Sequence, residues 1–262
     1  MVRFLSLSSG SNGNSYFFSD GRRSFLIDIG IGTRTIRKRL AEHGIAIESV
    51  DAVFVTHDHF DHIRSLGSFT ERYRKPVYLT RTLEEALRHN GCTAGKLQGC
   101  VRYLEEGKER VLDADFRITP FVVPHDATQT VGYHFTLSGE RFTVMTDLGA
   151  VTDDAVRYAA LADHLVVESN YDVDMLLTGP YPKELKERIL MGHGHLSNEQ
   201  TATLLRRSRH EGLRDVFLCH LSANNNTPSL ALASAKKTLE SIGSQASLYC
   251  LPRGSASELF SF

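Results

Sequence analysis

Residues 53–66 read VFVTHDHFDHIRSL, which sets His57, Asp58, His59, Asp61 and His62 directly behind an apolar run. No other stretch constrains the fold as tightly. Ionisable side chains at the end of a buried strand are costly to desolvate unless something pairs with them. A divalent cation offsets that cost, and imidazole with carboxylate suits Zn²⁺, Mn²⁺ or Fe²⁺. In a loop leaving a strand, the alternating His57 and His59 can converge on one ion, with Asp61 and His62 facing a neighbouring position. One such cluster cannot fill two coordination spheres. Three further donors follow apolar or β-branched runs: His125 in VVPHDA, Asp147 in VMTDLG and His220 in VFLCHLS. Asp58 reads as a position facing solvent or supporting the ligands.

The rest of the chain fits an ordinary globular protein. Of 262 residues, 41% are hydrophobic and 23% charged, as in ordinary folded domains. The net charge of −1 gives no global basic field, so a polyanion would need a local patch. The opening MVRFLSLSSGSNGNSYFF has the pattern of neither a signal peptide nor a membrane span, and cytoplasmic residence is expected. Four cysteines without C-x-x-C spacing read as reduced thiols.

Period-2 and apolar runs predict strands at 3–7, 15–19, 24–28, 52–56, 101–105, 110–114, 116–124, 131–137, 141–147, 164–168, 215–219 and 246–250. Helices are expected at 33–43, 62–73, 82–89, 152–160, 182–191, 198–208 and 228–241, the third opening with Thr82-x-x-Glu85 as a capping box. Strand meanders followed by a βαβα-like end indicate an α/β (α+β) fold of sheets covered by helices. With no linker or low-complexity tract, a single domain over 1–262 is expected.

THDHFDH, with LIDIG upstream and PHDA, TDLG and CHLS downstream, resembles the metallo-β-lactamase fold superfamily. The resemblance implies a four-layer αββα sandwich with metals in a cleft at the sheet edges. It also implies a ligand set: His57, His59 and His125 on one ion, Asp61, His62 and His220 on the other, and Asp147 bridging. Asp28 matches a position that orients a ligating histidine. Two divalent ions follow, with Zn²⁺ favoured and Mn²⁺ or Fe²⁺ as alternatives. Ions roughly 3.5–4 Å apart can share a hydroxide and clamp a phosphoryl oxygen.

The second half narrows the chemistry. Di-iron oxidoreductases of this superfamily usually carry Glu where this chain has His59, which argues against redox work. In GHGHLSNEQ, Ser197 and Gln200 form a capping box, so His195 stands two residues before a helix N-cap, a natural anion seat. Glu168 ends the apolar run HLVVE. A Glu168–His195 pair would hold the imidazole in one tautomer and raise its pKa, which favours donating a proton to a leaving oxygen. His193 is a reserve for that role. The pair is similar to the Glu and His of tRNA 3′-processing nucleases in this superfamily.

FLSLSSGSNGNSY, ESNYDVDML and TGPYPKELKERIL look like the bacterial YycJ/WalJ family, metallo-hydrolases suggested to act as DNA exonucleases. The stretch from Asp147 to His220 leaves no room for the inserted cap domain of the RNA-processing β-CASP branch. The expected function is therefore a binuclear phosphodiesterase, a nuclease acting on DNA through a metal-bridging hydroxide. Asp61, His195 and Glu168 would be its catalytic residues, and no membrane is involved. Rival readings are a small-molecule or cyclic-nucleotide phosphodiesterase and a metal-bound regulatory protein. RTIRKRL (34–40), ERYRKP (71–76) and LLRRSRH (204–210) are basic clusters that would serve a nucleic acid or a solvated helix face equally well. Tyr181 and Pro182 in GPYP are offered as a cleft wall, and Tyr171 as a residue to stack a base. His43, His89, His134, His164 and His210 lack an evident carboxylate partner and are assigned no chemistry.

Overall fold

A computed structural model describes residues 1–262, apart from the side chain of His193, so the reserve role given to that residue lies outside what is described. The chain forms two mixed seven-stranded sheets flanked by helices. It divides into two compact units: Met1–Arg110 with Ala127–Gln129 and Pro252–Phe262, and Val111–Asp126 with Thr130–Leu251.

In the first unit, β1 (Arg3–Ser8), β2 (Ser15–Ser19) and β3 (Ser24–Ile27) form an antiparallel meander. β4 (Ala52–Phe54), β5 (Val77–Leu79) and β6 (Val101–Tyr103) extend it in parallel, and Phe260–Ser261 pairs with the outer side of β1. Rings at neighbouring positions stack across five strands. Phe4 lies 4.8 Å from Phe18, Phe18 5.4 Å from Phe25, Phe25 5.2 Å edge-on from Phe54, and Phe54 4.8 Å from Tyr78. Each such pair adds about 0.5–1.5 kcal/mol beyond simple burial, so the stack fixes the register of the strands that carry the site.

The helices here are α1 (Thr33–Ala41), α2 (Phe60–Ile63), α3 (Leu66–Tyr73) and α4 (Arg81–His89). Two expectations are corrected. The helix expected over 62–73 is broken, because the Ser65 N–H donates to the Ile29 carbonyl (3.0 Å) while the Asp61 carbonyl accepts from Asn14 N–H (2.7 Å). One helical bond is exchanged for two tertiary ones. α4 is capped by Thr80, whose hydroxyl accepts from Leu83 N–H at 3.2 Å, and not by Thr82. β5, only three residues long, was not expected at all.

In the second unit, β7 (Arg110–Asp113), β8 (Phe116–Val123), β9 (Thr130–Leu137), β10 (Glu140–Met145), β11 (His164–Glu168), β12 (Asp215–Cys219) and β13 (Ser247–Cys250) lie in the order β13-β12-β11-β10-β9-β8-β7. β8 and β10 are both antiparallel to β9, and β10 to β13 are mutually parallel. Hence β8, β10, β11 and β12 point the same way and end along one edge. The near-continuous apolar runs of β11 and β12 suit strands buried on both faces.

α5 (Asp153–Ala159), α6 (Val173–Thr178), α7 (Lys183–Arg188), α8 (Asn198–Arg207) and α9 (Pro228–Ser241) complete the unit. Tyr158, Leu204, Leu205, Ala235 and Leu239 pack from α5, α8 and α9 onto Leu165, Val167, Val216 and Leu218 of the sheet. α8 opens with both bonds of the Ser197/Gln200 capping box, at 3.1 and 2.8 Å. α9 opens with the Thr227 hydroxyl accepting from Leu230 N–H at 3.2 Å ahead of Pro228.

His164 does have carboxylate partners, contrary to expectation. Its Nδ1 lies 2.7 Å from Asp215 Oδ2 and its Nε2 3.1 Å from Glu140 Oε2. The parallel register sets His164 opposite Asp215 at the strand starts, a neighbour that sequence spacing does not reveal. This cluster sits at the opposite ends of the strands from Glu168 and His220.

Candidate active site

The first unit builds one donor set at the ends of its adjacent parallel strands β3 and β4. Asp28 follows β3 with φ 61°, a left-handed conformation uncommon for a residue other than glycine. Its N–H donates to the Phe54 carbonyl (2.9 Å). Its carboxylate accepts from Thr56 N–H (2.8 Å), the Thr56 hydroxyl (2.7 Å) and His62 Nδ1 (2.7 Å). Burial raises the pKa of Asp28, against the opposing pull of His62 and the Thr56 bonds.

Because the Thr56 proton goes to Asp28, its oxygen is left to accept from His57 Nδ1 at 3.0 Å. Both His57 and His62 therefore carry their proton on Nδ1 and turn a lone pair on Nε2 outward. The His57 ring lies 4.0 Å from that of His62 and 4.7 Å from that of His59, and His62 Nε2 is 3.7 Å from Asp61 Oδ2.

Gly30 locks this loop. Its N–H donates to the Asn14 carbonyl (2.8 Å), and a Cβ there would fall 1.6 Å from the Asp61 carbonyl oxygen. The Asn14 side-chain amide reaches Asp61 Oδ2 (3.3 Å) and His62 Nε2 (2.9 Å). Asp58 turns aside and accepts from the Thr128 hydroxyl (2.5 Å) and N–H (3.2 Å), in keeping with a supporting position.

The second unit builds the other set where β8, β10, β11 and β12 end. His125 follows β8 and donates from Nδ1 to the Gly194 carbonyl (2.6 Å). Asp147 follows β10; its Oδ1 is 3.6 Å from His125 Nε2, 3.6 Å from His195 Nδ1 and 3.5 Å from His220 Nδ1. Glu168 closes β11 and is fully buried. Its Oε1 accepts from His195 Nδ1 (2.6 Å) and His220 Nδ1 (3.0 Å), and its Oε2 from Leu148 N–H (2.9 Å) and Leu196 N–H (3.0 Å). His220 follows β12 in a left-handed conformation, φ 52°, with its carbonyl accepting from the Asn170 amide at 2.7 Å. Strained backbone at two of the site's residues costs of order 1–3 kcal/mol each and persists only where the surroundings enforce it.

Electrostatics separates two of the three imidazoles that face Asp147. Burial lowers the pKa of His125, and the neighbouring carboxylates only partly compensate. Burial acts on His195 in the same sense, but the Glu168 carboxylate overrides it and the pKa is raised. Burial would raise Glu168, yet the charge of His195 and the bonds from both histidines hold it lowered.

Asp147, Glu168, His195 and His220 bring potential ligand atoms within 4.8 Å of one another. His57, His62, His125 and His220 all commit Nδ1 to a hydrogen bond, which makes Nε2 the nitrogen that could ligate, the arrangement supporting groups impose on metal-bound histidine; at His62 that nitrogen also meets the Asn14 amide at 2.9 Å. The donor chemistry fits divalent ions.

The beta-lactamase superfamily domain matches residues 23–220. The chain belongs to the metallo-β-lactamase superfamily. It is 34% identical over 230 residues to exodeoxyribonuclease WalJ of Streptococcus pneumoniae, covering 87% of this chain and 85% of that protein. It is 31% identical over 242 residues to exodeoxyribonuclease YycJ of Bacillus anthracis, covering 92% and 90%. In fold it is similar to Zn²⁺-bound PqqB of Methylobacterium extorquens, with a TM-score of 0.71, 19% identity, and 98% and 100% of the two chains covered. The chain is thus a hydrolase of the metallo-β-lactamase fold, and its metal-ion dependence follows from the family.

Asn14, Thr56 and Asn170 were not foreseen as supports. Asn14 lies in the turn-rich SSGSNGN, where an asparagine reads as a turn former. Tyr171 is corrected: at 3% exposure it offers no face for a base. Tyr181 is partly exposed and its hydroxyl meets the Asn224 amide at 3.5 Å. Phe60, between the motif's His59 and Asp61, is 60% exposed with the Arg64 guanidinium 5.5 Å over its ring. Among the described residues no helix is long and apolar enough to cross a membrane.

Proposed function

We propose that residues 1–262 act as one hydrolase domain that cleaves phosphodiesters, with nucleic acid, and DNA first, as substrate. On the superfamily's pattern His57, His59 and His125 would hold one divalent ion, Asp61, His62 and His220 a second, and Asp147 both. Zn²⁺ is the favoured ion, with Mn²⁺ and Fe²⁺ suited to the same donors. When bound, such ions supply charge to phosphoryl oxygens and lower the pKa of a coordinated water.

The chain's own groups handle the protons. Asp61, partly exposed and beside His62, would take the proton of the attacking water. His195 would protonate the leaving oxygen. Its Nδ1 is fixed by Glu168 at 2.6 Å, so Nε2 is the atom free to face substrate. The Glu168 carboxylate raises its pKa, which favours a proton there.

The Glu168–His195 bond carries the reading, because a leaving alkoxide needs such an acid far more than an expelled thiolate does. The relatives named exodeoxyribonucleases support it. Such a substrate would place the enzyme in the cytoplasm.

The test compares end-labelled DNA, bis(p-nitrophenyl) phosphate and a cyclic nucleotide on one metal-replete preparation. Length-dependent, salt-sensitive cleavage of DNA is expected. Turnover of the cyclic nucleotide alone would replace the nuclease reading with a small-molecule one. No turnover of any ester would leave a binding protein.

A further inference from the structure

The basic clusters RTIRKRL and ERYRKP are far apart in sequence, yet α1 and α3 of the first unit bring them to one groove. Its volume is about 300 Å³, and it is lined by Thr33, Arg34, Arg37, Ser68, Arg72 and Tyr73. Arg34, Arg37 and Arg72 are exposed, and among the described residues none is in an ion pair. Arg72 lies 5.4 Å over the Tyr73 ring. The hydroxyls of Thr33 and Ser68 meet at 3.5 Å. Arginines on a solvated helix face usually alternate with carboxylates that neutralise them. Here Arg88 of α4 and Arg207 of α8 each find one, whereas the three in this groove, like Arg157 of α5, do not.

The groove is continuous in sequence with the metal-binding motif. α1 begins five residues after Asp28, and α3 begins four after His62. Ile29 N–H donates to the His62 carbonyl (2.8 Å) and Ser65 N–H to the Ile29 carbonyl (3.0 Å), so the approaches to both helices are tied together. Ser68 and Arg72 lie on α3, beyond the break that separates it from the helix carrying His62. One strand of a nucleic acid advances about 3.4 Å per nucleotide, so a substrate strand must run on past the bond being cut to reach the groove.

We infer that this groove binds the phosphodiester backbone of the substrate strand, with Arg34, Arg37 and Arg72 as its phosphate contacts. A planar guanidinium matches phosphate oxygens in pairs, and the two hydroxyls add donors between them. With a net charge of −1 and no global basic field, a local track of this kind is what would hold a polyanion. The inference rests on the nuclease reading and adds to it a substrate-length requirement. It makes these arginines binding residues, remote from the chemistry.

The test uses the full chain with Arg34, Arg37 and Arg72 all replaced by Ala, beside a second variant with all three replaced by Lys. Binding of a fluorescent single-stranded 20-mer is measured by anisotropy over a range of salt. KM is measured on the 20-mer and on a dinucleotide, which is too short to reach the groove. The Ala variant should raise KM for the 20-mer at least tenfold relative to the dinucleotide. Three lost contacts at about 0.7 each should flatten its plot of log affinity against log salt by about 2. The Lys variant should recover the salt slope and only part of the affinity. A 20-mer cut by the wild type but bound by the Ala variant with unchanged affinity and slope would overturn the groove and leave the nuclease standing. A wild type that turns over bis(p-nitrophenyl) phosphate but neither binds nor cuts the 20-mer would overturn both.

Discussion

Glu168 Oε1 accepts a 2.6 Å hydrogen bond from His195 Nδ1. The same oxygen accepts from His220 at 3.0 Å, so one buried carboxylate serves both the proposed proton donor and a proposed metal ligand. Replacing His195 therefore probes the acid alone, whereas replacing Glu168 disturbs two functions.

His195→Ala should lower kcat about 10²–10⁴-fold, the usual contribution of a general acid, with metal content unchanged. Elemental analysis beside steady-state kinetics checks this. Loss of an ion would move His195 into the ligand set.

Glu168→Gln should shift the pH profile. The carboxylate raises the pKa of His195, so in the wild type kcat falls only as pH rises through that raised value. Without the carboxylate the alkaline limb should move to lower pH and metal affinity should drop through His220. An unmoved limb would mean that another group donates the proton.

Asp28→Asn is a clean probe of the support to His62. Asparagine tolerates the left-handed backbone at φ 61°, so only the acceptor is lost. Metal affinity should fall about 10–100-fold, measured by competition with a chromophoric chelator. Asp28→Ala should add about 1 kcal/mol or more of instability in urea unfolding, because alanine carries the strain as well.

Gly30→Ala should cost roughly 3 kcal/mol, since its methyl group would collide with the backbone at Asp61 and no flexible side chain can yield. Loss of metal should accompany the loss of stability. A variant of wild-type stability and metal content would mean that the Asp61 loop is mobile.

Away from the site, His134 should govern part of the acid sensitivity. Burial, aided by Arg141, lowers its pKa to about 4. Its Nδ1 lies 2.9 Å from the Thr143 hydroxyl, which gives its own proton to the Tyr158 carbonyl at 2.8 Å. Between pH 6.5 and 4 the unfolded chain binds a proton at this histidine and the folded chain does not. Stability is thus complete above about 6.5 and declines as pH falls, by about 3 kcal/mol at the limit. Urea unfolding of the wild type against His134→Gln over that range should show the difference, and parallel curves would contradict it.

Much of this was legible in the chain. Donors at strand ends announce themselves because an apolar run that stops at His or Asp has few other uses, and Glu168 was visible as such a stop. What stayed hidden depends on pairing across the fold. Asn14 reaches Asp61 and His62 only because Gly30 lets two loops touch, and His164 meets Asp215 only through strand register. The break at Ser65 is equally tertiary, since local propensity favours one continuous helix there. The two basic helices read equally as a nucleic-acid patch or as solvated faces, and only the packing of α1 and α3 put them on one groove.

Metal content measured with activity on one sample bears most directly on the two-ion centre. Two equivalents of divalent metal per chain are expected, lost together with phosphodiester cleavage on exhaustive chelation and restored together on adding Zn²⁺ or Mn²⁺. Full activity after chelation, or saturation at a single equivalent, would contradict it.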